Sequence, residues 1–501
     1  METIEINGHK WLKGKGDEGQ DVYVAQFKIK DDDVIGKYAD KGSYDILVDS
    51  DADFYLPTDN VWHRKSGDVV MDENNIAFKF RKNVFTPEEQ RGAYEGLYDA
   101  AGESNNRGMA AGPRAEQNLK RDWVTPYQND VLLHFINRQP GTADGSNPLE
   151  NIRKKHETKK HETRGIVWLR SKVESEFGEY TNFFPKAIEK MLGMDILEAS
   201  NYAKTLKEKF ISGTTYATPL WSGIAGFYGR YPRIPYGRPT AYTEQNLSKF
   251  EKSYPFARKL EAEFKRMLPM RWAKQKAFAD RLDNKFLIGE DTTFTTITVN
   301  TMTKDRNARM ACHKDAGSLV PGFSNLTVVT KDGKGWKGGY LVTPEVRAAI
   351  NVRPGDLLLI DNMRIIHGNT PIEAPDSGED DFLRMSLVYY FREDMDGLGS
   401  WDYEKTRRQF VDDRRTNKDH PDWRQHWNGV SPNMWGKPNE EKEETEIIKK
   451  HNKKYEDRKE GIPPLPWEEW YKYLEEKLGQ EVLSEYHPEA VKQTSSLEGF
   501  F

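Results

Sequence analysis

The chain has 501 residues, of which 36% are hydrophobic and 31% charged, a composition typical of globular proteins. Its formal net charge of −5 excludes the whole-protein basic field that draws many proteins to nucleic acid, although a local cationic groove stays compatible with it. The single cysteine, Cys312, excludes an intrachain disulfide, and no run of about 18 apolar residues predicts a transmembrane helix.

The first residues predict neither a signal peptide nor an isolated helix. Residues 1–82 mix short apolar alternations with Asp and Gly turns, which predicts a small β-rich region. The start lacks the basic and then apolar pattern of a secretion signal, so we expect an intracellular protein. Thr86, Pro87 and Glu89 then mark a helix start with a capping box, and we expect this helix to run to about Ala100.

Residues 139–164 are turn-rich and then strongly charged, which predicts an insertion or linker. The sequence Lys-Lys-His-Glu-Thr occurs there twice, at 154–158 and at 159–163. Its histidines and glutamates are conceivable metal ligands. A solvated, charged surface is the simpler interpretation, because charge runs of this kind usually face water.

The middle of the chain predicts an α+β fold built on a double-stranded β-helix, or jelly roll. From Tyr254 to about Leu282 apolar residues recur every three to four positions, which predicts a helix that Pro269 kinks or splits. From about Thr292 to Arg392 short β-prone runs alternate with turn residues, a cadence typical of jelly rolls. The predicted strands are 292–300, 326–329, 339–342, 356–360 and 385–391.

Residues 395–501 are predicted to form a helical C-terminal extension. Its first part, from Trp401 to Trp435, alternates aromatic residues with arginines, a mixture that fits either nucleic-acid contact or packing over a core edge. A charged helix near 440–460 and an amphipathic helix from Trp467 to about Leu483 are expected to follow.

The ordered set of His313, Asp315 and, far downstream, His367 predicts a metal centre. His313 and Asp315 lie two residues apart, so on a strand both side chains point to one face. Two imidazoles and one carboxylate are the ligands expected for non-haem iron(II) with open coordination positions. A His-x-Asp pair alone is also an ordinary strand end, so the hypothesis depends on the whole set.

Arg384 lies in a strand-like run after His367, with Ser386 on the same face. A guanidinium binds a carboxylate through two parallel hydrogen bonds, so Arg384 is the predicted partner of the carboxylate tail of 2-oxoglutarate, with Ser386 adding a hydroxyl. Taken alone, Arg384 fits a surface salt bridge to Asp380 or Asp381 better. Because the chain also contains the three predicted metal ligands, we favour the 2-oxoglutarate role for Arg384.

The chain resembles the TET/JBP family of Fe(II)/2-oxoglutarate-dependent nucleic-acid dioxygenases, closest to the base J-type thymine hydroxylases and their viral relatives. The resemblance covers about residues 83–394, and it implies a dioxygenase domain over that range. It is carried by the segments 106–112, 228–238, 299–301, 309–317, 322–327, 338–342, 354–359 and 367–370.

This resemblance implies hydroxylation of the 5-methyl group of a pyrimidine base in DNA, with 2-oxoglutarate and O2 as co-substrates. Thymine, giving 5-hydroxymethyluracil, is preferred over 5-methylcytosine by analogy alone. It implies that His313, Asp315 and His367 bind iron and that Arg384 and Ser386 bind 2-oxoglutarate. The alternatives are a hydroxylase of a protein or small molecule, slightly favoured by the acidic pI, and a catalytically silent DNA-binding relative.

A base methyl inside a duplex cannot reach a buried iron, so the nucleotide must be flipped out or already single-stranded. Aromatic side chains then stack on bases and cations hold phosphates. The segment 226–238 offers both, although a purely structural loop fits it equally well. Our candidate substrate or DNA contacts are Tyr228, Arg230, Arg233, Tyr236 and Arg238, with Asn300 and Arg309 added from the resemblance. Cys312 is expected to pack on the opposite side from His313.

Overall fold

The structure is a computed structural model, and it describes residues 1–58, 61–63, 69–71, 73–104, 110, 220–230, 234, 236–330, 335–375, 381–416, 419, 465–486 and 488–495. The predicted insertion at 139–164, the charged helix near 440–460, the aromatic residues from Trp423 to Trp435 and nearly all of the loop 106–112 lie outside the described residues.

The strands of the described residues are mostly short and antiparallel. They are β1 (Glu2–Ile6), β2 (His9–Lys15), β3 (Asp21–Ala25), β4 (Ile46–Val48), β5 (Ala52–Tyr55), β6 (Val61–His63), β7 (Val69–Met71), β8 (Ile76–Arg81), β9 (Gly102–Ser104), β10 (Leu220–Tyr228), β11 (Arg238–Pro239), β12 (Thr296–Thr303), β13 (Ser324–Val329), β14 (Lys337–Gly338), β15 (Leu341–Thr343), β16 (Ala348–Ile350), β17 (Leu357–Ile360), β18 (Gly368–Asn369), β19 (Ile372–Glu373) and β20 (Leu383–Tyr390).

The α-helices lie before, between and after the sheets. They are α1 (Asp31–Val34), α2 (Pro87–Leu97), α3 (Ala241–Gln245), α4 (Leu247–Phe250), α5 (Tyr254–Met267), α6 (Pro269–Ala279), α7 (Trp401–Thr416), α8 (Trp467–Leu478), α9 (Gln480–Ser484) and α10 (Pro488–Gln493). None of these helices, in the part of the chain that the structure describes, has the length and apolar character needed to cross a bilayer.

Most strands join one twelve-stranded sheet, whose order is β1-β2-β3-β5-β8-β17-β13-β20-β12-β10-β11, with β9 paired to β10. Strands from the first 81 residues are therefore continuous with the strands that follow α6, because β8 pairs with β17. The predicted β-rich character of the N-terminal region is found here as an extension of the main sheet. The predicted domain boundaries stay predictions.

A second sheet of order β18-β15-β16-β4 covers one face of the main sheet. Side chains such as Leu326 and Val388 of the main sheet share one hydrophobic cluster with Leu341 and Ile350 of the second. The other face of the main sheet packs on α2, α5 and α6 through a separate cluster. Two facing sheets with helices on one side are the jelly-roll core that the strand cadence predicted.

The helix signals at Thr86 and Pro269 are confirmed. Thr86 caps α2 by accepting from the amide of Glu89, whose carboxylate accepts from the amide of Thr86 in return. Proline at 269 separates α5 from α6, as predicted. The amphipathic C-terminal helix was predicted as one piece, but it ends at Leu478 because Gly479 adopts a φ of +85°.

The predicted strand 292–300 begins later than expected. Strand β12 starts at Thr296, because the preceding threonines bond to groups outside the ladder. The amide and hydroxyl of Thr293 both donate to the Glu261 carboxylate, and the Thr292 hydroxyl donates to the Ile288 carbonyl. Side-chain bonding of this kind competes with sheet pairing.

The C-terminal helix α8 belongs to the main core. Trp470 is fully buried, its indole N–H donates to the Thr494 hydroxyl at 2.8 Å, and it shares the cluster of α5 and α6. Lys477 reaches Asp280 at the end of α6 with a 3.0 Å ion pair. The end of the chain therefore stabilises the helical layer behind the main sheet.

We expect Trp470→Ala to lower the free energy of unfolding by about 3–5 kcal/mol, because it opens a large cavity in a shared core. Urea unfolding followed by tryptophan-independent far-UV circular dichroism measures this change. Trp467→Ala, at a half-buried position on the same helix, is the matched control and should cost less than half as much. Equal losses in both variants would contradict the packing described here.

Candidate metal centre and cofactor pocket

Backbone hydrogen bonds bring the two histidine segments together. His313 and His367 form an isolated antiparallel bridge in which each amide donates to the other carbonyl at 2.9 Å. The predicted strand around His313 is reduced to this bridge. Gly368 permits the contact, because a Cβ at that position would lie 2.9 Å from the Cys312 amide nitrogen.

The three predicted ligands converge on one point. Ligand atoms of His313, Asp315 and His367 all lie within 4.8 Å of one another. The Asp315 Oδ1 atom is 3.3 Å from His313 Nε2 and 3.8 Å from His367 Nε2. One ion can therefore contact an oxygen and two ring nitrogens from a single side, which leaves further positions open to other ligands.

Backbone carbonyls fix both imidazole rings in the orientation a metal needs. His313 Nδ1 lies 2.8 Å from the Ala311 carbonyl oxygen, and His367 Nδ1 lies 3.0 Å from that of Ile365. In the tautomer assigned from these contacts each Nδ1–H donates, so each Nε2 presents its lone pair to the centre. Such outer contacts commonly orient metal-binding histidines.

The electrostatics of the cluster keep Asp315 charged. Burial by itself raises the pKa of Asp315, but its contacts with His313, His367 and Asn362 outweigh burial and lower the pKa to about 2. Burial and the nearby His313 lower the pKa of His367 to about 4. Burial acts in the same direction on His313, but the Asp315 carboxylate prevails and raises the pKa of His313 above 6.5.

The ligands open into a cavity of about 460 Å³ between the two sheets. Its floor is a row of cross-strand neighbours on β10, β12 and β20, in which Asn300 pairs with Ser222 on one side and with Ser386 on the other. The Ser222 hydroxyl donates to Asn300 Oδ1 at 2.5 Å. Leu326, Leu341 and Val388 add apolar walls.

Arg384 lines the same cavity and is 3% exposed. Its Nε atom is buried without a hydrogen-bond partner. Burial, reinforced by the charge of Arg353, lowers the pKa of Arg384 to about 10, so the guanidinium stays protonated at neutral pH. A buried cation with an unsatisfied donor is costly unless an anion binds there, and a carboxylate fits its geometry.

The residues present therefore fit both groups that the sequence predicted. The two imidazoles and one carboxylate match the donor set for iron(II), and the orphaned Arg384 donor in the same cavity matches the tail carboxylate of 2-oxoglutarate. Ser386 lies two residues from Arg384 on the cavity floor, as predicted.

Tyr228 has two arginines within cation–π distance of its ring, and one of them lines the cavity. The Arg238 guanidinium is 5.1 Å from the centre of the Tyr228 ring, and the Arg392 guanidinium is 4.9 Å from it. Arg392 also lines the cavity, and its Nε donates to Asp394. Arg238 has a buried Nη1 atom with no hydrogen-bond partner. We call this group, Tyr228, Arg238 and Arg392, the rim stack.

Two of the predicted DNA contacts, Arg230 and Tyr236, have partners inside the fold, and their contact with DNA stays a prediction. Arg230 forms an ion pair with Glu404 of α7, whose side chain is 1% exposed. Tyr236 is 6% exposed and packs on Val411, so its ring presents no face to a base. Glu404 also accepts from the Gly237 amide at 2.7 Å, so these residues attach the loop to α7.

Of the other predicted DNA contacts, one lies in the cavity and one lies against the N-terminal region. Asn300 lines the cavity, whereas Arg309 donates to the Ala39 carbonyl at 2.6 Å and stacks on Tyr38, tying down the N-terminal region. Arg233 lies outside the described residues. Cys312 is 2% exposed in a small apolar cluster, and burial raises its pKa to about 11, which confirms its packing role.

Sequence reasoning missed two residues at the centre. Asn362 donates from Nδ2 to Asp315 Oδ2 at 3.1 Å, and Arg392 lines the cavity beyond the last predicted strand. A polar Asp-Asn pair directly after a buried strand was the available signal for Asn362. No spacing rule connected Arg392 to the ligands.

Comparison with known proteins agrees with the family inferred from the sequence. Residues 228–393 match Tet_JBP, the oxygenase domain of the 2OGFeDO superfamily. Thymine dioxygenase JBP1-B of Trypanosoma cruzi (strain CL Brener) is 29% identical over 204 residues, which are 40% of this chain and 22% of that protein. Bifunctional helicase and thymine dioxygenase JBP2 of Leishmania infantum is 30% identical over 219 residues, 43% of this chain and 18% of that protein.

The chain thus spans less than a quarter of the length of these two relatives. A solved structure, NgTET1 in complex with 5mC DNA, is 16% identical and covers 41% of this chain and 75% of that one. Its TM-score of 0.28 is too low to support an argument about the present fold.

Metal affinity should fall as pH is lowered through the His313 pKa, which is raised above the ordinary histidine value of 6.5. His313 must lose its proton to bind a metal, and its pKa is raised, whereas His367 and Asp315 keep metal-binding forms down to about 4 and about 2. One proton exchanged for one ion gives a slope of about tenfold per pH unit below the His313 pKa. Titration of the metal-free protein with Co(II) at several pH values measures this slope.

The matched control is His9→Gln, which removes a histidine that contacts Asp45 away from the cavity. It should leave the pH dependence unchanged. A Co(II) affinity that stays constant between about pH 7.5 and 5.5 would exclude His313 as a ligand, because a protonated imidazole has no lone pair to offer.

Proposed function

We propose, from the premise that residues 228–393 are an oxygenase domain of the 2OGFeDO superfamily, that the chain is an Fe(II)/2-oxoglutarate-dependent dioxygenase acting on DNA. Its reaction is hydroxylation of the 5-methyl group of a pyrimidine base, with thymine preferred. The observation that carries the proposal is one cavity holding both the three-ligand cluster and the buried, unsatisfied Arg384. The relatives named as thymine dioxygenases support the choice of base.

His313, Asp315 and His367 would hold the iron, each through one atom. When bound, iron together with 2-oxoglutarate and O2 supplies the oxidation that converts the methyl C–H bond to C–OH, with succinate and CO2 as the other products. The protein contributes by keeping the His367 imidazole neutral and Asp315 ionised at neutral pH, so these two ligands need no change of protonation to bind a metal.

Arg384 would bind the tail carboxylate of 2-oxoglutarate, and Ser386 would donate a hydroxyl hydrogen bond to it. Both side chains lie on the face of β20 that forms the cavity floor, so the co-substrate is held by a rigid strand. Apolar walls at Leu326, Leu341 and Val388 limit water near these charges, which strengthens the ion pair. Asn300, held by Ser222, is a further polar group facing the bound molecules.

The rim stack would contact a single-stranded or flipped-out nucleotide. Tyr228 is half-buried, and the two arginines keep its ring in place by cation–π contact. Arg238 is partly exposed and supplies positive charge near which a phosphate can bind, while the Arg392 charge is partly offset by Asp394. This arrangement replaces Arg230 and Tyr236 as the proposed contact surface and keeps Tyr228 and Arg238 from the original set.

The proposed reaction is tested by nucleoside mass spectrometry. Purified protein with Fe(II), ascorbate and 2-oxoglutarate is incubated with DNA that contains both thymine and 5-methylcytosine, and 5-hydroxymethyluracil is the expected product. Arg384→Gln is the matched control, because it keeps all three metal ligands. Loss of charge-assisted hydrogen bonds should raise its KM for 2-oxoglutarate about 10- to 100-fold.

Formation of 5-hydroxymethylcytosine alone would keep the reaction and reverse the choice of base. Succinate formed above the Arg384→Gln level without any new nucleoside would transfer the activity to a protein or small-molecule substrate. Absence of both products in the wild-type protein, with metal bound, would overturn the dioxygenase proposal in favour of a DNA-binding role.

We also expect Tyr228→Ala to weaken binding of a short single-stranded thymidine oligonucleotide by about 1–3 kcal/mol, the usual contribution of one stacked base. Fluorescence anisotropy at two salt concentrations measures the effect. Tyr228→Phe is the control. It should bind as the wild type does, because it keeps an aromatic ring within cation–π distance of Arg238 and Arg392. Unchanged affinity in Tyr228→Ala would remove the rim stack from the DNA surface.

A further inference from the structure

Asn362 contacts the carboxylate ligand through both its backbone and its side chain. The amide of Asp315 donates to the Asn362 carbonyl at 2.9 Å, and Asn362 Nδ2 donates to Asp315 Oδ2 at 3.1 Å. The other carboxylate oxygen, Oδ1, is the one that lies 3.3 Å from His313 Nε2. Asn362 therefore occupies one carboxylate oxygen and leaves the other directed at the histidines.

Asn362 is itself anchored by a buried ion pair on the residue before it. Asp361 is 2% exposed and pairs with Arg271 of α6, which is fully buried, at 2.7 Å. Arg271 Nη2 also donates to the Gly322 carbonyl at 2.9 Å, and the Asp361 amide donates to the Ala77 carbonyl at 3.2 Å. Asp361 is thus held by α6 and β8, and its partner Arg271 is held in turn by the Gly322 carbonyl.

Asn362 also faces a second, very small cavity. Its Oδ1 atom is buried without a hydrogen-bond partner. The residue lines a space of about 10 Å³ whose other polar lining residues include Ser318, Ser324 and Asp361. This volume is at the lower limit for one water molecule. A donor in that space would hold Oδ1 on the far side and keep Nδ2 turned toward Asp315.

We propose that Asn362 is a positioning residue for the metal centre, which holds Asp315 so that one carboxylate oxygen is available to a metal. The Arg271–Asp361 ion pair fixes the preceding residue to α6 and thereby keeps Asn362 in place. The inference rests on the proposed metal site. It follows from the chemistry of carboxylates, which bind metals through one oxygen or two. With Oδ2 engaged by the amide, Asp315 supplies one oxygen and occupies one coordination position, leaving room for a two-atom co-substrate chelate.

The test compares Asn362→Leu and Asn362→Ala with the wild type, using Co(II) as the probe. Both variants keep the backbone carbonyl that accepts from Asp315 and remove the side-chain donor. We expect a 10- to 100-fold weaker Co(II) affinity, the usual effect of losing an outer-shell partner. We also expect a changed Co(II) d–d absorption spectrum, because a freed carboxylate can bind through both oxygens.

The matched control is Asn351→Leu, which removes a comparable amide-to-carboxylate bond, 2.9 Å to Asp49, away from the cavity. Thermal melting of each metal-free protein separates folding from positioning. Variants at Asn362 that melt lower but bind Co(II) with wild-type affinity and spectrum would overturn the proposal and leave Asn362 a packing residue. A wild-type protein that binds no Co(II) would instead overturn the metal site itself, so the two failures are distinguishable.

Discussion

The candidate site depends on one antiparallel contact between chain segments that are far apart in sequence. His313 and His367 exchange two backbone hydrogen bonds of 2.9 Å, so their side chains leave the pair in register. Gly368 is the permissive residue, because any side chain there would press on the Cys312 backbone. When these two hydrogen bonds form, Asp315, two residues after His313, lies beside both histidines and completes the three-ligand cluster. All three residues line the cavity.

That cavity carries opposite charges at two places, and neither is neutralised in an ordinary way. Asp315 is kept ionised by two histidines and an amide, whereas Arg384 is buried with an unsatisfied donor. Only the second arrangement costs folding free energy, since a buried charge is stable only when it is paired. A carboxylate bound at Arg384 offsets this cost, whereas the lowered pKa of Asp315 shows that its ionised form is already favoured.

The sequence predicted those features that local rules or ligand chemistry determine. The capping box at Thr86 and the break at Pro269 depend on neighbouring residues, and both are found where expected. The three predicted ligands also lie close together, while their roles and that of Arg384 stay predictions. The features that the sequence did not predict require long-range pairing. Asn362 reaches the Asp315 carboxylate because its backbone pairs with Asp315, and Arg230 forms an ion pair because α7 places a buried glutamate beside it.

The net charge of the chain does not predict the local charge of the cavity, because that too depends on long-range pairing. The whole chain carries −5, yet Arg384 and Arg392 line the cavity and Arg238 lies beside Tyr228 near its rim. Screening at physiological ionic strength acts over about 8 Å, so acidic residues on remote surfaces have little influence on a partly buried guanidinium. What sets the local field is the depth of each cation and the distance to its nearest carboxylate. By this measure Arg384 exerts the strongest pull on an anion, because it is the deepest of the three and its Nε has no partner.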